Sequence, residues 1–125
     1  MKIALTSVFV PDPIKAFAFY TEILGFKEHL YMPDHSLAII VSPEDPTGTA
    51  LLLEPNSNLG AAEFQRGVYD AGLPTIVFGT ADIRADFARL TALGVVFTKE
   101  PTTAPFGTEA IFDDTCGNLI QLVQP

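Results

Sequence analysis

Apolar and polar positions alternate loosely from Lys2 to Val10, a segment rich in Val, Ile, Phe and Thr, and this predicts a strand. Asp12-Pro13 then marks a helix start. An Asp carboxylate can cap free N–H groups, and Pro suits a first turn where its missing N–H would have no partner. Ile14, Phe17, Ala18, Thr21 and Leu24 recur at spacings of three and four, which gives a helix one apolar face. Gly25 is expected to end that helix as a left-handed cap. Three strands are expected next, Phe26 to Met32, Ser36 to Ser42 and Thr49 to Glu54. Pro33-Asp34 and the Pro43 to Gly48 stretch supply the turns between them.

The second half repeats this order. Thr75 to Thr80 reads as a strand, Asp82 as a cap, Ile83, Phe87, Leu90 and Leu93 as a helical stripe, and Gly94 as its end. Val95 to Lys99, Glu109 to Asp113 and Asn118 to Gln124 complete the set. The helix ends match, Thr21 to Phe26 against Leu90 to Val95, and an isoleucine (Ile14, Ile83) precedes each glycine by the same interval. A repeat of half a domain is an architectural signal. The expected fold is therefore α+β, one domain over 1–125 made of two tandem β-α-β-β-β modules, 1–56 and 73–125. A linker helix over 57–72 joins them, with Asn58 as cap, Phe64 and Val68 as its apolar side, and Gly72 and Pro74 as its stop. The sheets are expected to be mixed and curved around a cup, with the helices on the outer face.

Alternation says where a ligand would sit. In the first strand Thr6, Val8 and Val10 form the expected helix-packing set, and Leu5, Ser7 and Phe9 the opposite one. In the last, Ile120 and Leu122 face one way and Leu119, Gln121 and Val123 the other. Both faces are largely apolar, so both need cover: helices on one, a cavity or partner on the other.

Composition narrows the function. With 125 residues, 48% of them hydrophobic and 18% charged, the chain can build a continuous core and does not have a disordered composition. No apolar run reaches the length of a membrane span. The start reads straight into a strand without a small-residue cleavage site, so no signal peptide and a cytoplasmic location are expected. A single cysteine, Cys116, excludes an internal disulfide and a thiolate zinc site. The net charge of −8, with scattered basic residues, argues against nucleic acid. It is read chiefly as a solubility feature, and secondarily as a field that draws cationic ligands.

Val10-Pro11-Asp12 leading to Phe19-Tyr20 and Leu24-Gly25-Phe26, together with the run from Asp113 to Leu122 around Gly117-Asn118, resembles the vicinal-oxygen-chelate superfamily. That group includes glyoxalase I, extradiol dioxygenases, fosfomycin-resistance transferases and bleomycin-resistance proteins. The resemblance covers essentially the whole chain. It implies a homodimer, and, in metal-dependent members, one divalent ion held by cup-facing side chains of the first, fourth, fifth and eighth strands. Those positions fall here at Leu5, at Leu53 or Glu54, at Thr75 and at Gln121. Only Glu54 is a strong donor, whereas a protein-held divalent ion usually needs three or four N or O ligands. No metal and no cofactor are expected.

His29, in the second strand, and His35, in the Pro33-Asp34 turn, stand at no ligand position and are read as solvated or locally bonded. Cys116 has acidic neighbours that do not favour a thiolate, and is read as packing. Asp113-Asp114 could pass for an acid–base pair but is read as shaping a turn. The expected cup lining is Ser7, Glu54, Thr75 and Gln121, with Phe9 and Phe106 as apolar walls and Tyr31 as a weaker candidate. This is the usual pocket composition of a few polar groups among apolar ones. Phe106-Gly107 is read as a plain loop, with a mobile flap as the alternative.

The leading expectation is a metal-free binding protein for a small molecule, a cationic one being favoured by the charge. The alternatives are a metal-dependent glyoxalase I or dioxygenase type, and a metal-free enzyme using Glu54 as general base.

Overall fold

The structure, a computed structural model, describes residues 1–58 and 60–125. Two compact units divide the chain, Met1–Glu63 and Phe64–Pro125.

In the first unit β1 (Leu5–Val10) leads into α1 (Pro13–Ala18), followed by β2 (Lys27–Met32), β3 (Leu37–Val41) and β4 (Ala50–Pro55). The sheet order is β1-β4-β3-β2, with β1 and β4 parallel and the other pairs antiparallel. Asp12 caps α1 as expected, its Oδ1 accepting from the N–H of Ile14 at 3.0 Å and of Lys15 at 3.4 Å. The apolar stripe differs from the expected one. Pro13, Ala16 and Tyr20 are buried, whereas Ile14 is exposed. The helix also changes form after Ala18: a π turn over Phe19–Ile23 follows, with Leu24 N–H donating to Phe19 O at 3.1 Å. From Asp12 to Gly25 the chain has one residue more than from Asp82 to Gly94, and the wider π turn takes up that residue. Gly25 then takes φ +91, the left-handed conformation a Cβ disfavours.

The second unit repeats the plan. β5 (Pro74–Gly79), α3 (Ile83–Ala92), β6 (Phe97–Ala104), β7 (Gly107–Asp113) and β8 (Leu119–Gln124) form a sheet of order β5-β8-β7-β6. Asp82 Oδ1 accepts from Ala85 N–H at 3.0 Å, and Gln124 Oε1 takes the N–H of Ile83 at 2.8 Å. Ile83 and Leu90 are buried and Phe87 meets Phe97 edge-on, but Leu93 is exposed. β6 and β7 run longer than predicted. β6 continues through Pro101, which a strand tolerates at a sheet edge and beside a register shift, as here between Lys99 and Thr102.

The helix α2 (Ala61–Asp70) lies across the boundary between the units. It begins three residues after the expected cap, and Asn58 serves through its backbone carbonyl, accepting from Ala61 N–H at 3.1 Å. Of the expected linker 57–72, residue 59 lies outside the described residues. The buried side of α2 is not Phe64, which is exposed, but Ala61 and Gln65. Gln65 Nε2 donates to Cys116 O at 2.7 Å, so the helix is fastened by a polar clamp on the turn before β8.

Each unit buries one sheet face under its helix. In the first, Val8, Val10, Ile40 and Leu53 are buried on the α1 side. In the second, Ala110, Phe112, Ile120 and Leu122 are buried on the α3 side. Thr6, expected in the first set, is exposed.

Candidate functional site

Strand register decides what stands on the opposite faces. β1 and β4 pair Leu5 with Ala50, Ser7 with Leu52, Val8 with Leu53 and Phe9 with Glu54. Paired residues share a face, so Leu53 belongs with Val8 under the helix and Glu54 with Ser7 and Phe9 on the other side. This resolves the choice between Leu53 and Glu54. Ile39, opposite Leu52, and Leu30, opposite Ile39, extend the same face. Leu5 there is 45% exposed. Among the described residues Glu54 makes no hydrogen bond or ion pair, so its carboxylate is uncommitted within a mainly apolar surface.

Tyr31 does not join this face. It pairs with the fully buried Ala38 and stacks on Phe17 of α1, ring centroids 4.0 Å apart, and therefore packs under the helix. The expectation of Tyr31 as a lining residue missed a register shift between Glu28 and Leu30, at His29. His29 and His35 are both exposed.

In the second unit the face opposite α3 carries Gln121, flanked by Val77 of β5 and Ile111 of β7, with Lys99 of β6 opposite Ile111. Thr75 is exposed and falls in a register irregularity between the Pro74–Leu119 and Ile76–Ile120 pairs. The residue paired with Gln121 is therefore Val77, 56% exposed. Phe106 stands in the two-residue turn Pro105-Phe106 that joins β6 to β7, and is 60% exposed rather than set on the sheet face. Gly107 completes this turn at φ +136, and a Cβ there would meet Gln124 O at 2.3 Å.

A polar cluster that sequence reasoning did not find crosses this face. Lys99 Nζ donates to Glu109 Oε1, and Gln121 Nε2 donates to Glu109 Oε2 at 2.7 Å. The Lys99 hydrogen bond, with the charge of Lys99 and the amide of Gln121, holds Glu109 below the ordinary carboxylate value against the opposing effect of burial. Its side chain is 15% exposed. Alternation could have placed Glu109 and Ile111 on one face, but their neighbours across the sheet depend on register.

The Asp113-Asp114 pair shapes the turn. Asp114, fully buried, accepts from Cys116 N–H at 2.7 Å and Asn118 N–H at 3.0 Å through Oδ1, and from Asn118 Nδ2 at 2.9 Å through Oδ2. Asp113 accepts from Thr115 N–H at 2.7 Å and from the Tyr69 hydroxyl at 2.5 Å. That bond, with the Asp113 charge behind it, raises the Tyr69 pKa. Cys116 is buried within the same turn.

The residues present do not fit a divalent ion. The positions that the resemblance implies hold Leu5, Glu54, Thr75 and Gln121, and the Gln121 amide already donates to Glu109. Glu109 itself is engaged by a lysine cation. No group of three or more His, Cys, Asp or Glu able to hold a metal occurs among the described residues.

Two tandem β-α-β-β-β units, each with a helix on one sheet face and a few polar groups among apolar ones on the other, define a paired-module α+β protein. The chain belongs to the Glyoxalase/Bleomycin resistance protein/Dioxygenase superfamily, whose profile matches residues 2–122. It is 52% identical to the uncharacterized protein YurT of Bacillus subtilis strain 168, covering 99% of both chains. Among solved structures it is similar to UcmS2, with TM-score 0.83 and 28% identity over 98% of this chain and 97% of that one. It is also similar to TnmS3, an antibiotic binding protein from Streptomyces sp. CB03234, with TM-score 0.76 and 30% identity over 100% and 96% of the two chains. No helix among the described residues is long and apolar enough to cross a membrane.

Proposed function

We propose that this protein is a metal-free binding member of its superfamily, one domain over 1–125 that holds a small molecule against a sheet face opposite a helix. The observation that carries this reading is Glu54. An uncommitted carboxylate beside Phe9 and Leu52 suits a ligand with an apolar body and a positive charge. The net charge of −8 favours the same guest. The kinship with an antibiotic binding protein supports the binding of a drug-sized molecule. A homodimer in the cytoplasm goes with the reading, since an open, mainly apolar sheet face is a surface on which a second subunit could pack.

A second reading rests on the same residue: Glu54 as general base toward an acidic C–H of the bound molecule. Bleomycin, a cationic drug named in the family's description, serves as the first probe. A ligand of the native state raises the melting temperature, by an amount corresponding to about 2.7 kcal/mol at a hundred times Kd. Under the binding reading bleomycin raises it, and Glu54→Gln weakens the effect without abolishing it. Turnover of a small carbonyl substrate that vanishes in Glu54→Gln would decide for the second reading. Stoichiometric Zn, Ni, Mn or Fe in protein purified without chelator would overturn both.

A further inference from the structure

Lys99 and Glu109 have no role assigned above, and their contact with Gln121 constrains which way its amide points. An ionised carboxylate has no proton and can only accept. Gln121 therefore turns its NH2 toward Glu109 Oε2, at 2.7 Å, because the flipped amide would bring two oxygens together. Lys99 on the other oxygen keeps Glu109 ionised at neutral pH. The Gln121 carbonyl oxygen then has no hydrogen-bond partner among the described residues. It sits on a face flanked by Val77 and Ile111, two apolar side chains that would pack against the body of a bound molecule.

We propose that Glu109, anchored by Lys99, is a positioning residue that presents Gln121 Oε1 as a fixed hydrogen-bond acceptor, so that the ligand taken by this face carries an N–H or O–H donor. The inference rests on the binding reading and narrows it. Amines, amide N–H groups, phenols and alcohols are accepted at this point. A carbonyl or carboxylate oxygen is refused, because it would face another lone pair.

Indole and benzofuran test this, being of nearly the same size and shape, one with an N–H donor and the other with a ring oxygen. Chemical-shift titration of the full chain at millimolar probe should show indole binding about fivefold more tightly than benzofuran, the worth of one ordinary hydrogen bond. The shifts are expected at Val77, Ile111 and Gln121. In Glu109→Gln the neighbouring amide can donate or accept, so Gln121 is free to flip and the preference should fall toward onefold. Gln121→Met, which leaves the Lys99–Glu109 pair in place, should do the same. Equal affinities in the native protein, or a preference that survives both substitutions, would overturn this inference while leaving the binding reading standing. Failure of bleomycin and both probes to bind would overturn the two together.

Discussion

Asp114 has both carboxylate oxygens engaged by three N–H groups of the Cys116–Asn118 turn, and none of its surface meets solvent. Replacing it with alanine strands those donors in the interior, at a cost of about 1–3 kcal/mol for each donor left bare. Asp114→Ala should therefore lose on the order of 3 kcal/mol in a urea melt. A change below about 0.5 kcal/mol, the size usual for surface substitutions, would mean that the turn is held by other bonds. Gly117, in the same turn, takes φ +89, and a Cβ there would stand 2.8 Å from Gln65 Nε2. Both the left-handed backbone and the Gln65 clamp thus call for glycine at this place. The turn role of Asp113-Asp114 was readable from residue type, because Asp bonds to backbone two residues on wherever it meets a tight turn. The Gln65 clamp was not, since it joins residues far apart in sequence.

At the level of elements, β4 shows how adjacent residues divide between two tasks. Leu53 is fully buried under α1, and Glu54 stands on the opposite face beside Phe9. Leu53→Ala should cost about 2–5 kcal/mol, the usual loss for a large-to-small change in a packed core. Glu54→Ala should stay within about 0.5 kcal/mol in the same urea melts, as expected for a carboxylate with no intramolecular partner, while lowering the affinity for bleomycin. The reverse pattern of stability losses would show that the register of β4 is shifted by one. Helix starts were legible in the sequence because capping is local: Asp12 and Asp82 cap as their positions imply. Helix faces were less so. Ile14, Phe64 and Leu93 fit a periodic stripe but are exposed, while Tyr20 and Gln65 are buried instead. The buried Pro13, Ala16 and Tyr20 keep helical spacing one position ahead of the expected stripe, and a buried glutamine has no place in a hydrophobic pattern.

Across the whole molecule the acidic charge acts at a distance. Raising ionic strength from about 0.01 M to about 0.15 M shortens the screening length from about 30 Å to about 8 Å. Affinity for cationic bleomycin should fall over that range by isothermal titration, and affinity for neutral indole should not. If both hold constant, the net charge of −8 contributes to solubility alone. The sequence by itself determined the two β-α-β-β-β modules, their order and their caps, because period, turn residues and helix ends are encoded within a few residues of one another. Only the tertiary structure decided that Glu54 rather than Leu53 faces away from α1, that Tyr31 packs beneath it, and that Lys99, Glu109 and Gln121 meet. Those facts follow from strand register and from bulges at His29 and between Lys99 and Thr102. A one-residue slip in pairing reverses every side chain, and pairing is settled between segments distant along the chain.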